Sequence, residues 1–347
     1  MTEITKRRPS LLTGSLSADQ IRLLAVRSPC AAFVSTLTTT ASQRGMVNAI
    51  VLAATLLAPG AIPNSTGRGR GGNLSVRFVY ACAIPWWQLD LKQLVSMRSE
   101  LIQRKVAPAT LNLSLAGVRG ILKHCWLQGL LNGDVYQKSI TTLSCVKNTS
   151  LPRGRHISIA ELQKLVVACL NDDSRMGIRD RALIALLYSG LRRSEVAGVN
   201  VSDYDQSTGQ LIVRGKGPMG GPMGGKKRIV WLTNGKRVAF EQWILLRGVN
   251  SDAAFVQIRR GSHTTNDRMS PQAIYNAVLR RGREAGVQVE PHDLRRSMVS
   301  NLLQAGADIA IISKICGHSG IAVTQKYDVR DLQHQMRAME LAPLPLG

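Results

Sequence analysis

Residues 291–327 read PHDLRRSMVSNLLQAGADIAIISKICGHSGIAVTQKY. Within this stretch His292 and Arg295 stand three residues apart, so on a helix they share a face and can reach one anion together. Gly317-His318 follows, and Tyr327 lies nine residues beyond His318. About a hundred residues upstream the chain carries Arg192-x-x-Glu195 in the turn Gly190-Leu-Arg-Arg-Ser-Glu195. A tyrosine hydroxyl has a pKa near ~10. As a phosphoryl nucleophile it therefore needs cationic groups around the phosphate to stabilise the charge that develops in the transition state. Two arginines, two histidines and a lysine are present to supply this.

Upstream of this stretch the patterns define one domain. Ser158-Ile-Ala-Glu161 has the form of a capping box and opens a helix through Leu162, Leu165, Val166 and Leu170. A second helix is expected over residues 179–188, with the Gly190–Glu195 turn leading into a third. Two short strand signals, residues 210–214 and 228–232, flank the loop Gly215-Lys-Gly-Pro-Met-Gly-Gly-Pro-Met-Gly-Gly-Lys-Lys227. The remainder, to residue 339, reads as helical. The expected fold class is mainly α with one small antiparallel β-sheet in the C-terminal domain.

Before this domain the periodicity breaks at Lys147-Asn-Thr-Ser-Leu-Pro-Arg-Gly-Arg155, where a Pro and a Gly stand among basic residues. The expected division is a helical N-terminal domain over 1–146, a basic linker over 147–156 and a catalytic domain over 157–347. In the N-terminal half, Leu91, Leu94, Val95, Met97, Leu101 and Ile102 cluster at helical spacing. The uncharged run over residues 45–63, which contains the apolar segment 49–58, has an apolar core too short for a bilayer and reads as a buried helix. No membrane association is expected.

The formal net charge is +23, with 45 Lys and Arg against 22 Asp and Glu. Residues 1–150 hold 17 basic and 5 acidic side chains, and residues 151–347 hold 28 and 17. Both halves are basic, as expected if both touch one duplex. Arg68 and Arg70, in a Gly-rich loop, and Lys147, Arg153 and Arg155, in the linker, are the candidate DNA contacts. The six cysteines form no Cys-x-x-Cys pair and no zinc spacing, so they read as reduced, mostly buried thiols. No metal and no cofactor is expected. The N-terminus shows no signal-peptide character, and a cytoplasmic, DNA-associated protein is expected.

The chain resembles the tyrosine recombinases, the phage integrases and Xer-type recombinases. The match rests on Gly190–Glu195, Gly215-Lys-Gly217, Pro291-His-Asp-Leu-Arg295, Gly317-His-Ser319 and Thr324-Gln-Lys-Tyr327, in the family's order. A softer match, Val106-Ala-Pro-Ala-Thr110 followed by Leu115, Val118, Arg119 and Ile121, looks like the family's helical core-binding domain. The resemblance implies a two-domain clamp on double-stranded DNA. It further implies site-specific strand cleavage and rejoining by a homotetramer on paired sites, without metal or ATP, with accessory DNA-bending proteins as further partners. By that resemblance Tyr327 forms a 3′-phosphotyrosine, Arg192 and Arg295 bind the scissile phosphate, His292 acts as acid/base, His318 hydrogen-bonds the phosphate and Lys216 protonates the leaving 5′-oxygen. Glu195 supports them by orienting its neighbours.

The loop after Lys216 is longer than the family's, which keeps Lys226 and Lys227 as alternatives for the lysine. Gly220-x-x-x-x-Gly225-Lys226 mimics a P-loop, but Lys227 replaces the Ser/Thr and a strand follows where a helix is required. Val329, Leu332, Met336 and Met339 form an apolar stripe in the tail, suited to packing on a neighbouring protomer or on its own domain. A type IB topoisomerase and a non-cleaving regulator are the alternative functions, and integration or excision of a mobile element is the expected role.

Overall fold

In the computed structural model the residues described are 23, 26–60, 62, 76–147, 154–215, 227–248, 250–259, 261, 263–318, 320–325, 327 and 336. Arg68, Arg70, Arg153, Lys216, Lys226, Val329, Leu332 and Met339 lie outside them. The chain divides into two compact units, residues 1–150 and 151–347.

The first unit is helical: α1 (Pro29–Ser35), α2 (Thr40–Leu57), α3 (Val76–Cys82), α4 (Leu91–Gln103), α5 (Pro108–Leu127) and α6 (Gly133–Thr142). The apolar segment of the uncharged run falls in α2, where Ala49, Ile50, Val51, Ala53, Ala54 and Leu57 are buried, as a core helix requires. Among the described residues no helix is long and apolar enough to cross a membrane. Helix α5 lies close against its neighbours because it presents glycines. A Cβ on Gly117 would stand 2.9 Å from Ile50 Cγ1 of α2, and one on Gly120 would stand 2.3 Å from the Phe33 ring of α1. In α4, only part of the expected stripe is inside. Leu94, Met97 and Leu101 are buried, whereas Leu91, Val95 and Ile102 are exposed. The i, i+3, i+7 row faces the core, and the flanking row lies beyond the arc that one packed face can cover.

The second unit contains α7 (Ile159–Leu170), α8 (Arg175–Leu187), α9 (Arg193–Gly198), β1 (Tyr204–Asp205), β2 (Gln210–Arg214), β3 (Lys227–Trp231), α10 (Asn234–Leu246), β4 (Val256–Ile258), β5 (Thr264–Arg268), α11 (Pro271–Glu284), α12 (Pro291–Gln304), α13 (Ile309–Cys316) and α14 (Ile321–Gln325). The capping box is present: Ser158 Oγ accepts from the Glu161 N–H at 3.2 Å, and Glu161 accepts from the Ser158 N–H at 2.9 Å. Leu165 and Cys169 are buried on α7 and Leu170 is exposed, so the inward face ends one residue earlier than expected.

Strands β1, β2 and β3 form an antiparallel sheet in sequence order, with Ile212 opposite Ile229 and Arg214 opposite Lys227. Leu211, Val213 and Val230 face the core, as period-two alternation demands. A second antiparallel pair, β4 and β5, corrects the expectation of a single sheet. Its strand Thr-Thr-Asn-Asp-Arg is solvent-facing, with no apolar alternation to reveal it, and is held by pairing to Val256 and Ile258.

The core of this unit centres on Trp243, Phe240 and Phe255, each fully buried. Burial contributes about 1.5–3 kcal/mol for each large apolar side chain. Trp243 Nε1 also donates to the Ala254 carbonyl at 2.8 Å. Helices α8 and α11 are joined through Asp180, 1% exposed, which accepts from Arg179, Arg280 and Arg281. All six cysteines are free thiols, and all but Cys145 are buried.

Candidate active site

Three chain turns bring the reactive residues together. The first is the Gly190 turn, where α8 ends. Gly190 adopts φ 89°, and a Cβ there would stand 2.5 Å from Met298 Cε, so only glycine fits without strain. Its carbonyl accepts from Arg295 Nη1 on α12. Arg192 then caps α9: its backbone N–H donates to Glu195 Oε2 at 2.7 Å and its Nη1 to Glu195 Oε1 at 2.8 Å.

The second turn ends α13. Gly317 is left-handed at φ 60°, with its N–H on the Lys314 carbonyl and the His318 N–H on that of Ser313. This turn presents its carbonyls to the arginines. Cys316 O accepts from Arg295 Nη2 at 2.8 Å, and Gly317 O accepts from Arg192 Nη2 at 3.1 Å. The third turn follows α14, where the Tyr327 N–H bonds the Thr324 carbonyl at 2.9 Å.

Tyr327 is 9% exposed and belongs to a buried cluster with Met298, Val299, Leu303, Ile312 and Cys316. Its hydroxyl lies 3.4 Å from His292 Nε2. The His318 ring stacks on it at 6.0 Å between centroids, and the Arg296 guanidinium lies 5.9 Å from its centroid. His318 Nδ1 is 2.7 Å from Thr324 Oγ1.

The charges of the site act on one another. Desolvation, then the nearby Arg295, Arg192 and Arg228, push His318 down to about 4. The same causes, desolvation first and Arg295 next, lower His292 at the rim of the site. Both histidines are therefore neutral at pH 7, with one ring nitrogen able to accept a proton. Glu195 is buried, which raises its pKa, but bonds from Arg228 and Arg192 outweigh burial and hold it below the ordinary carboxylate value.

The structure thus brings together Arg192, Glu195, His292, Arg295, His318 and Tyr327, drawn from residues 192 to 327. Lys216 and Lys226 fall outside the described residues, and Lys227 is exposed at the start of β3. Of the expected DNA contacts, Lys147 is exposed. Arg155 is engaged within its own unit. Its guanidinium bonds Glu161 at 2.8 Å and the Gln288 carbonyl at 2.5 Å, while its N–H bonds Asp293 at 2.8 Å. Those bonds fasten the start of the second unit to α12 and occupy the donors that a phosphate would need. Arg228, Thr324 and Arg296 also join the site and were not singled out individually from the sequence. Arg228 carried a faint signal, a charged residue at a strand position between outward-facing neighbours.

The phage integrase family model matches residues 156–334, the span that holds all of these groups. This chain is a tyrosine recombinase of the phage integrase family. The tyrosine recombinase XerC of Pseudomonas fluorescens is 33% identical over 255 residues, covering 72% of this chain and 79% of that protein. The tyrosine recombinase XerA of Pyrococcus horikoshii is 31% identical over 200 residues, covering 57% of this chain and 66% of that relative. Among solved structures, the XerH site-specific recombinase bound to a palindromic difH substrate, a post-cleavage complex, superposes with a TM-score of 0.58. That pair shares 17% identity over 87% of this chain and 97% of the other. At that identity the superposition establishes the fold, mainly helical with small antiparallel sheets, which this recombinase shares.

Proposed function

We propose that this recombinase cleaves and rejoins double-stranded DNA at specific sites through a 3′-phosphotyrosine on Tyr327. The observation that supports this most is the 3.4 Å approach of the Tyr327 hydroxyl to His292 Nε2, within a cluster that includes Arg192 and Arg295. In the proposed step Tyr327 Oη attacks the scissile phosphorus and its proton passes to neutral His292. The bond from phosphorus to the 5′-oxygen breaks, and that oxygen takes a proton from Lys216. Rejoining is the reverse, with a 5′-hydroxyl as nucleophile.

Arg192 and Arg295 stabilise the charge on the non-bridging oxygens. Each Nη bonded to a carbonyl or carboxylate retains a second hydrogen, and the fork of a guanidinium matches phosphate geometry. One phosphate ester is exchanged for another, so ATP is not required, and the two fixed arginines supply the charge that a metal ion would otherwise bring. His318, held by Thr324, donates its remaining ring hydrogen to the phosphate.

The reading extends to duplex contacts made by both the helical unit and the catalytic unit. It includes a homotetramer on paired sites and the integration or excision of a mobile element. The experiment uses nicked duplexes, 5′-labelled on the scissile strand and tiled across the DNA flanking the gene, in EDTA without ATP. A denaturation-resistant adduct formed by the wild type and lost in Tyr327→Phe supports the reading. Tight binding with no adduct refutes it.

A further inference from the structure

Arg228 lies on β3 with its side chain 11% exposed, and each of its three guanidinium nitrogens has a protein acceptor. Nε donates to the Ile315 carbonyl in the last turn of α13 at 2.7 Å. Nη1 and Nη2 donate to Glu195 Oε1 and Oε2 at 3.0 and 2.8 Å, a two-bond fork on the carboxylate. Glu195, 6% exposed, accepts two further bonds from the Nη1 and backbone N–H of Arg192. Four donors therefore fill this carboxylate, two from each arginine. The two arginines differ in what remains to them. The Arg192 side chain is 36% exposed and opens toward solvent, whereas Arg228 is enclosed.

The surroundings are shaped to admit Arg228. Gly317, at φ 60°, would place a Cβ 3.1 Å from Arg228 Cδ and Nη1, so a side chain there would press on the guanidinium. His318 is the next residue. On the other side, Arg228 adjoins Lys227, which pairs with Arg214 across the hairpin, and Lys216 lies two residues beyond Arg214. One side chain thus ties the hairpin stem below the lysine loop to Glu195 and to the helix end that leads to His318.

We infer that Arg228 is a positioning residue for strand cleavage: it holds Glu195, and through it Arg192, in register with the hairpin that carries Lys216. Arg228 does not touch the phosphate. Without it, a buried carboxylate would keep its desolvation and lose half of its donors, and would take up a proton more readily. Arg192 would then lose the ionised partner that orients its fork. This rests on the cleavage chemistry proposed above.

The test uses the full-length protein and the same nicked, 5′-labelled flanking duplexes, with adduct formation followed in a single turnover from pH 5 to 8. Arg228→Lys keeps the charge but cannot make the fork. It should slow adduct formation about tenfold while binding of the intact duplex stays near wild type. Arg228→Met should be slower still, and its rate should fall off with acid at a higher pH than the wild type. That follows because a lowered Glu195 pKa rises when a donor is removed. Glu195→Gln combined with Arg228→Met should be no slower than Glu195→Gln alone and should lack the shifted acid limb.

A purely structural ion pair would lower the melting temperature without moving that limb. Wild-type rate and pH profile in Arg228→Lys would overturn the inference, as would rate losses in Glu195→Gln and Arg228→Met that multiply. Should Arg228→Met unfold, the Arg228→Lys comparison alone decides. A wild-type protein that forms no adduct overturns the cleavage reading itself, whereas normal wild-type cleavage with an indifferent Arg228 overturns only this inference.

Discussion

Replacing Thr324 with Val should slow cleavage about tenfold with little change in binding or fold. Thr324 is fully buried, and its hydroxyl lies 2.7 Å from His318 Nδ1. A valine methyl fills the space of the hydroxyl, so packing is kept and only the hydrogen bond is lost. Such a bond nets about 0.5–1.5 kcal/mol, and orphaning one partner costs about 1–3 kcal/mol when water is excluded. His318 is half-buried, so solvent recovers part of this, leaving about 1–2 kcal/mol, a factor of roughly 5–30 in rate. In the tautomer whose Nδ1 accepts from the Thr324 hydroxyl, Nε2 keeps its hydrogen and can donate to a phosphate oxygen. Thr324→Ser keeps the hydroxyl and should stay close to wild type. Single-turnover adduct formation, run beside duplex binding and a thermal melt, measures all three. Wild-type cleavage in Thr324→Val, or equal impairment of the Ser and Val variants, would refute the reasoning.

Other outcomes follow from the same geometry. Gly190→Ala should destabilise the protein by about 1–2 kcal/mol, the cost of a side chain at positive φ, because the flexible end of Met298 can move aside. Denaturant unfolding should register it, and a loss below about 0.5 kcal/mol contradicts the positive-φ strain. His318 is pushed down to about 4, chiefly by burial, while in the unfolded chain it titrates near ~6.5. Below ~6.5 the unfolded state binds the proton that the folded state refuses, so stability should fall as pH drops from ~6.5 toward ~4. His318→Gln should show a shallower fall in melting temperature over that window; an identical fall removes His318 as the cause. Lys147→Ala should reduce the slope of log affinity against log salt by about 0.9 if Lys147 neutralises one phosphate. Arg155→Ala should lower the melting temperature and leave the slope unchanged, and the reverse pattern would show that Arg155 leaves Glu161 for DNA.

What could be read from the chain alone was whatever depends on short-range pattern. The Ser158–Glu161 box, the β2 and β3 strands and the helix holding His292 and Arg295 on one side are set by spacings of three, two and three residues. The hidden parts depend on partners far away in sequence. Arg228 meets Glu195 across 33 residues and Ile315 across 87, and a basic residue in an amphipathic strand carries no mark of either contact. Arg155 looked like one more cation in a basic linker, yet its guanidinium bonds a carbonyl 133 residues away. Strand β5 is polar throughout and is made a strand by its pairing, not by its composition. In α4 the apolar set was visible but its inward arc was narrower than the residues offered, leaving Val95 and Ile102 outside.

The most direct test of the nucleophile is to map the linkage itself. After reaction with the nicked duplexes in EDTA and without ATP, nuclease and trypsin digestion should leave a peptide beginning at Tyr327 that carries a nucleotide through its 3′-phosphate. That mass, with fragmentation placing the phosphate on the tyrosine ring, is the predicted result. A nucleotide on any other side chain, or cleaved DNA with no covalently modified peptide, would contradict the account.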